Sequence, residues 1–346
     1  MIDTIFYKNL FLSTTLCFII LFSVSFGQVD TKKNNIHSFK INTFDNLELH
    51  GQILNPVNDI HTSRRFIVFI QGGTPYDEKG NTAAECDSLG NVIVTKDDFY
   101  TRFPQKMSEK GYHVVTLAKR SFKYFTRIPR PCLDDLSKDI QYLFKELKDR
   151  KFVKDDDKIF IVGHSEGSIV ATKLLPLLAD KPVGCVLLGS GSFAFDYENQ
   201  TWEEWFFNDI MRKYSKMPDE AIKEIFEKVK RLQLDILKIS EKTFENDWKK
   251  NTYAGIDPAP WESYHIIKEY PFYSPIPNII QADVPILICV GEMDTAMPAT
   301  LAERTYNQLS ENGFEKCTLK IIESEKHDYK KEEMFEIADE WFRSLD

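Results

Sequence analysis

The strongest constraint on what this chain can fold into is an alternation. Short apolar runs bounded by turn residues recur along it, and stretches with helical spacing separate most of them. Arg65–Ile70, Tyr112–Ala118, Lys158–Val162, Val183–Leu188, Val284–Val290 and Cys317–Ile322 read as strands. Several are apolar at consecutive positions rather than at every second one, as a strand covered on both faces requires. Phe99–Lys110, Leu133–Lys148, Ser168–Leu178, Thr300–Asn312 and Lys331–Ser344 read as helices. In the second of these, Leu136, Ile140, Leu143, Phe144 and Leu147 share one face. The order predicts an α/β fold, a mostly parallel sheet with helices on both faces. Ile36–Ile41 and Asn46–Leu54 follow one another without a helix, so an antiparallel hairpin is expected to open the sheet. Thr74–Asp98, with Pro75, Gly80, Asn81, Gly90 and Asn91, reads as a loop.

Two stretches break this rhythm. The first is the amino terminus. Lys8 precedes the apolar run Leu10–Phe26, and the chain turns polar at Asp30–Asn35. This is the pattern of a secretory signal peptide over residues 1–27, implying export to a periplasmic or extracellular location. An uncleaved amino-terminal membrane anchor is the alternative. Leu16 before Cys17 is too bulky for a lipoprotein cleavage site. No later segment is long and apolar enough to span a bilayer, so no stable membrane insertion is expected after cleavage. The second is the span 193–281, which lacks strand signals and carries Trp202, Trp205, Trp248 and Trp261. Pro218–Ser240 within it has helical periodicity, with Pro218 at a first helical position. A helical insertion is expected there, between core segments 28–192 and 282–346.

Composition narrows the partners. The net charge is −9 and no long basic run occurs, which argues against nucleic acid. The cysteines show no C-x-x-C spacing and no zinc pattern. Cys185 and Cys289 fall in buried strands, where cysteine acts as a small hydrophobe. Cys86 and Cys132 are a pair that an oxidising compartment would allow to bond.

Four short segments carry the chemistry. Gly163-His164-Ser165-Glu166-Gly167 is a G-x-S-x-G pattern between a strand and a helix. A serine hydroxyl needs a base to become nucleophilic and a sharp turn to project from a sheet, and flanking glycines keep such a turn free of clashes. The N–H after the serine, that of Glu166, then points at a developing oxyanion. Gln71-Gly72-Gly73-Thr74 follows an earlier strand at the same expected edge and offers a second donor, Gly73, with Thr74 competing. Gly291-Glu292-Met293-Asp294 supplies an acid just past a strand: Asp294, with Glu292 as competitor. His327, in the loop after the last strand, is the one histidine beyond Asp294 and fits the base. His164, next to the serine, is expected to pack or hydrogen-bond beneath the turn. The chain order Ser165, Asp294, His327 matches that of α/β-hydrolases.

These segments give the chain a resemblance to the α/β-hydrolase superfamily, and within it to dienelactone-hydrolase-like and peptidase-like esterases. TFDNLELHGQILNP, FIQGG, MSEKGYHVVTLAKRS, DLSKDIQYLFKELK, IFIVGHSEGS, VPILICVGEMD and EKHDY occur in the family's order. The resemblance implies an α/β-hydrolase fold with a helical cap over about 193–281, inserted before the strand that bears the acid. It implies a triad of Ser165, Asp294 and His327, and an oxyanion hole from the N–H groups of Glu166 and Gly73. Two departures stand out. Gln71-Gly72 replaces the family's frequent His-Gly, and Ala118-Lys119-Arg120-Ser121 replaces its Asp-x-Arg-Gly turn.

The activity expected is that of an exported serine esterase acting on a small-molecule ester through an acyl-enzyme, with no metal or organic cofactor. An exopeptidase of the prolyl-aminopeptidase sort is the alternative. It would need an acid, Glu166 or one from the insertion, to hold a substrate amine. A non-catalytic exported binding protein of the same fold is the third reading.

Overall fold

The computed structural model describes residues 36–57, 64–86, 92–123, 132–190, 273–294 and 296–345, with positions 218, 220 and 269. The chain divides into two compact units, one of Thr31–Ser192 with Ser274–Asp346, the other of Met1–Asp30 with Phe193–Tyr273. The signal-peptide stretch, the four tryptophans of the insertion and nearly all of the helix expected over Pro218–Ser240 lie outside the described residues.

The first unit is built on an eight-stranded sheet. Its strands in chain order are β1 (Ile36–Asn42), β2 (Glu48–Leu54), β3 (Arg65–Ile70), β6 (His113–Leu117), β7 (Lys158–His164), β8 (Gly184–Leu188), β9 (Ile286–Gly291) and β10 (Cys317–Ile322). Two more, β4 (Asn81–Cys86) and β5 (Val92–Lys96), pair with each other in a separate antiparallel ribbon. The large sheet runs β1-β2-β6-β3-β7-β8-β9-β10. β2 pairs antiparallel with β1 and with β6, and every other pairing is parallel. The hairpin expected from Ile36–Leu54 therefore forms.

The parallel strands are apolar because both faces are covered. All six residues of β3 and of β9 are buried, and so are all five of β8. Cys185 and Cys289 lie in that interior. Helices α1 (Asp98–Glu109), α3 (Leu133–Asp149), α4 (Glu166–Leu174), α6 (Ala299–Glu311) and α7 (Glu333–Ser344) supply much of the cover. Phe99, Phe103 and Met107 of α1 join Phe335 and Phe342 of α7 in one buried apolar cluster. A four-residue helix, α2 (Arg120–Lys123), follows β6, and α5 (Ile276–Ala282), which begins within the span 193–281 and ends just past it, belongs to this unit.

Two expectations are corrected. Thr74–Asp98 is not all loop, since it holds the β4–β5 ribbon. The helix expected over Ser168–Leu178 starts at Glu166 and ends at Leu174, passing into a 3-10 turn at Leu175–Leu177. Pro176 has no N–H for the next helical bond and its ring crowds the preceding turn, which ends the regular helix. Cys132 stands at the start of α3, where its N–H donates to Asp135 at 3.1 Å.

Strand order places the site. After β3 the chain moves to β6 on one side, then returns to β7 on the other. The loops leaving the carboxyl ends of β3 and β7 diverge there, and such a switch point is where open α/β sheets bind ligands. Gly72-Gly73 and Ser165 sit in those two loops.

Candidate active site

Ser165 occupies the turn between β7 and α4 with φ 56° and ψ −125°. A non-glycine residue there costs about 1–3 kcal/mol, a strain sustained only by surrounding structure. The support is close packing of backbone. A Cβ added at Gly163 would come within 2.3 Å of the Gly167 carbonyl oxygen, and one at Gly167 within 2.1 Å of the Ile70 carbonyl oxygen. No side chain fits at either position, so these glycines let β7, α4 and the end of β3 close on one another. The Ser165 N–H donates to the Leu188 carbonyl at 2.9 Å, and the Ser168 hydroxyl caps the Ser165 carbonyl at 2.6 Å. Ser165 is 3% exposed.

Asp294 and His327 meet. His327 Nδ1 lies 2.7 Å from Asp294 Oδ2. The other carboxylate oxygen of Asp294 accepts the Ala296 and Met297 N–H groups at 2.9 and 2.8 Å, which fixes the carboxylate plane. Glu292 goes elsewhere: its carboxylate accepts the Ser324 N–H at 3.0 Å. Burial alone would push the His327 imidazole down, but the charge and hydrogen bond of Asp294 outweigh it, and the net direction is up. The ring lies over the turn after β8, where a Cβ built on Gly189 would be 3.1 Å from its Cε1 and Nδ1. Leu188, just before Gly189, is the residue that bonds the Ser165 N–H. Serine and imidazole thus share one edge of the sheet.

The loop carrying His327 is held by side chains. Glu325 is buried and its carboxylate accepts the Lys326 and Lys331 N–H groups at 2.9 and 2.7 Å. Arg102 of α1 donates to the Tyr329 and Lys330 carbonyls. The Tyr329 hydroxyl donates to the Cys289 carbonyl at 2.8 Å.

A buried chain of hydrogen bonds joins this loop to the loop after β3. The Gly72 N–H donates to the Tyr100 hydroxyl at 2.8 Å, and that hydroxyl lies 2.6 Å from His164 Nδ1. His164 Nε2 lies 2.9 Å from the His327 carbonyl oxygen. A carbonyl only accepts, so Nε2 carries the proton and Nδ1 accepts from Tyr100. Burial, with the neighbouring His327, holds His164 well below the usual imidazole range, while burial lifts Tyr100 well above the usual phenol range. Both stay neutral near pH 7, and every donor in the chain has an acceptor. His164 bonds beneath the turn, as expected from its place beside Ser165.

The Gly72 N–H is therefore engaged, and Gly73 is the next amide of that loop. A Cβ added at Gly72 would be 3.3 Å from Ser165 Cβ, and one at Gly73 3.3 Å from Glu166 Oε2. The loop and the serine turn are in contact. Glu166 does not project outward; its carboxylate pairs with Lys119. Sequence reasoning missed Tyr100, Arg102 and Lys119. The signal for Lys119 was its place in the Ala118–Ser121 departure from the family turn. Tyr100 and Arg102 carry no local signal beyond helical periodicity.

The fold and the site find matches among known proteins. A family model described as BD-FAE matches residues 58–309. Among solved structures, the chain is similar to the Pyrococcus horikoshii acylaminoacyl peptidase, with TM-score 0.54 and 17% identity, over 90% of this chain but 42% of that one. It is similar to Est1E from Butyrivibrio proteoclasticus, with TM-score 0.54 and 14% identity, over 89% of this chain and 98% of that one. It is also similar to an esterase of Pyrococcus furiosus, with TM-score 0.53 and 14% identity, over 93% and 94% of the two chains. At these identities the likeness is one of fold. No curated protein matches the chain.

Proposed function

Because the chain belongs to the BD-FAE family and has the α/β-hydrolase fold, we propose that it is a serine hydrolase of carboxylic esters. One observation carries this: the His327–Asp294 contact of 2.7 Å, at the sheet edge where Ser165 stands on a left-handed turn. In this reading His327 takes the Ser165 proton as the hydroxyl attacks the ester carbonyl. Asp294 holds the imidazole in the right tautomer and stabilises the imidazolium. The N–H groups of Glu166 and Gly73 receive the oxyanion, the alcohol leaves with the proton from His327, and water then releases the acid from the acyl-enzyme. The chemistry calls on no metal and no organic cofactor.

The exopeptidase alternative is less well supported. It needs a carboxylate turned to a substrate ammonium; that of Glu166 pairs with Lys119, and an acid from the insertion would lie outside the described residues. Export through the amino-terminal run 1–27 belongs to the same proposal.

The test is a substrate panel on the full-length chain, with labelling of Ser165 by an active-site fluorophosphonate. The panel contains nitrophenyl acyl esters, aminoacyl arylamides and a ferulate ester, the last because a structure of Est1E holds ferulic acid. Ester turnover with Ser165 labelled is the expected result. Arylamide turnover without ester turnover would favour the peptidase, and an unlabelled serine in folded protein would overturn the hydrolase.

A further inference from the structure

Lys119 lies two residues past the end of β6, at the switch-point edge, and its side chain is 11% exposed. Its ammonium donates to the Gly72 carbonyl at 2.5 Å, to the Gly73 carbonyl at 3.2 Å and to the Glu166 carboxylate. An ammonium has three N–H donors, and these three acceptors account for all of them. Two acceptors belong to the loop after β3 and the third to the residue following Ser165. The backbone of Lys119 is itself fixed, since its N–H donates to the Tyr76 carbonyl at 2.9 Å. The next residue, Arg120, is buried and ion-paired with Asp139 and Asp45.

The consequence follows from the peptide plane. In a trans peptide the carbonyl and the N–H point to opposite sides, and the described chain has no cis bond. A Gly72 carbonyl aimed at Lys119 therefore aims the Gly73 N–H away from it. Peptides flanked by glycines can rotate at small steric cost. If this one turned over, it would present a carbonyl dipole, rather than an N–H, to a developing oxyanion.

We propose that Lys119 is the positioning residue of the oxyanion hole. It sets the direction of the Gly73 amide and ties that loop to Glu166, whose N–H is the other donor. The proposal rests on the serine-hydrolase reading above.

The test compares Lys119→Met, Lys119→Met/Glu166→Gln and Lys119→Arg in the full-length chain. Lys119→Met takes the ammonium away from a buried carboxylate and risks misfolding; the double variant removes both charges and keeps the measurement available. Active sites are counted by fluorophosphonate labelling, so rates refer to competent enzyme. In the single and double Met variants kcat should fall on the order of 10- to 100-fold, since removing a whole oxyanion donor costs about 10²–10³. KM should stay within about threefold, because ground-state binding does not use this amide. Inhibition by an aryl boronate, whose serine adduct is a tetrahedral anion, should weaken by the same factor as kcat. Lys119→Arg should recover part of the loss. Unchanged kcat in Lys119→Met, or wild-type kcat and boronate affinity in the double variant, would overturn the proposal; the latter would mean that Lys119 only neutralises Glu166. If the unmodified chain fails to label at Ser165, the serine-hydrolase reading falls and takes this one with it.

Discussion

The serine turn and the histidine loop reach the same sheet edge by different means. Around Ser165 the positioning is done by backbone. Gly163 and Gly167 admit approaches that no Cβ permits, and the strained φ of 56° is enforced by β7, β8 and the end of β3. Around His327 it is done by side chains: Asp294 on the ring, His164 on the backbone carbonyl, Arg102 on Tyr329 and Lys330, and Glu325 on its own loop. A turn held by packing allows few substitutions and announces itself in a short motif. A loop held by hydrogen bonds draws its supports from distant parts of the chain.

The contrast can be broken at its centre first. Ser165→Ala should lower kcat by about 10⁴–10⁶ while leaving the melting temperature near that of the parent, or above it if the strained turn relaxes. Loss of folding instead would mean that the hydroxyl also supports the turn.

Asp294→Asn comes next, with a loss of roughly 10³–10⁴ in kcat. It should also move the pH profile. The neutral His327 is the active base, so kcat/KM falls as pH drops through its pKa. That pKa lies above the usual 6.5 because Asp294 outweighs burial. With the charge gone burial dominates, and the acidic limb should shift to lower pH. Glu292→Gln is the matched control, expected to change kcat less than about threefold because the Glu292 carboxylate accepts from the Ser324 N–H while the imidazole lies against Asp294. A severe loss there with a mild one at Asp294 would reassign the acid.

Gly167→Ala tests the packed turn. Its Cβ would meet the Ile70 and Gln71 carbonyl oxygens at 2.1 and 2.7 Å, and both are backbone. A loss of about 2–3 kcal/mol in denaturant unfolding is expected, with kcat lowered on the order of 10²-fold as the Glu166 N–H is displaced. Tyr100→Phe tests the hydrogen-bonded side. It deprives the Gly72 N–H and His164 Nδ1 of their shared partner, at about 1–3 kcal/mol of stability. The kcat loss should be smaller, about three- to tenfold. An effect as large as that of Gly167→Ala would mean that the two regions are not held so differently.

The elements of the fold were readable to different depths. Arg65–Ile70 and Cys317–Ile322 appear with the bounds read from sequence, the first because a continuous apolar run ending at turn residues leaves little choice. The β4–β5 ribbon was missed because Asn81–Cys86 carries alanines and polar residues and owes its extended form to pairing with Val92–Lys96. The end of the helix after Ser165 was overshot because Pro176 was not weighed against the apolar residues on either side of it. The site divides in the same way. The Gly163–Gly167 turn, Asp294 and His327 were readable as motifs after strands. The preference for Asp294 over Glu292 was readable from its place farther past the strand, and the structure puts Asp294 at the imidazole; the roles of Tyr100, Arg102 and Lys119 were not readable.

By itself the sequence determined the alternating α/β order, the chain order of serine, acid and histidine, and the glycine spacing that only a sharp strand-to-helix turn explains. These depend on neighbours within a few residues, where backbone sterics and hydrophobic period act directly. Tertiary structure alone decided which amide of the Gly72-Gly73 loop is already engaged, and that Lys119 joins Gly72 and Glu166, each 47 positions from it. A hydrogen bond between distant residues leaves no local periodicity, and a lysine after a strand looks the same whether it faces water or two glycine carbonyls.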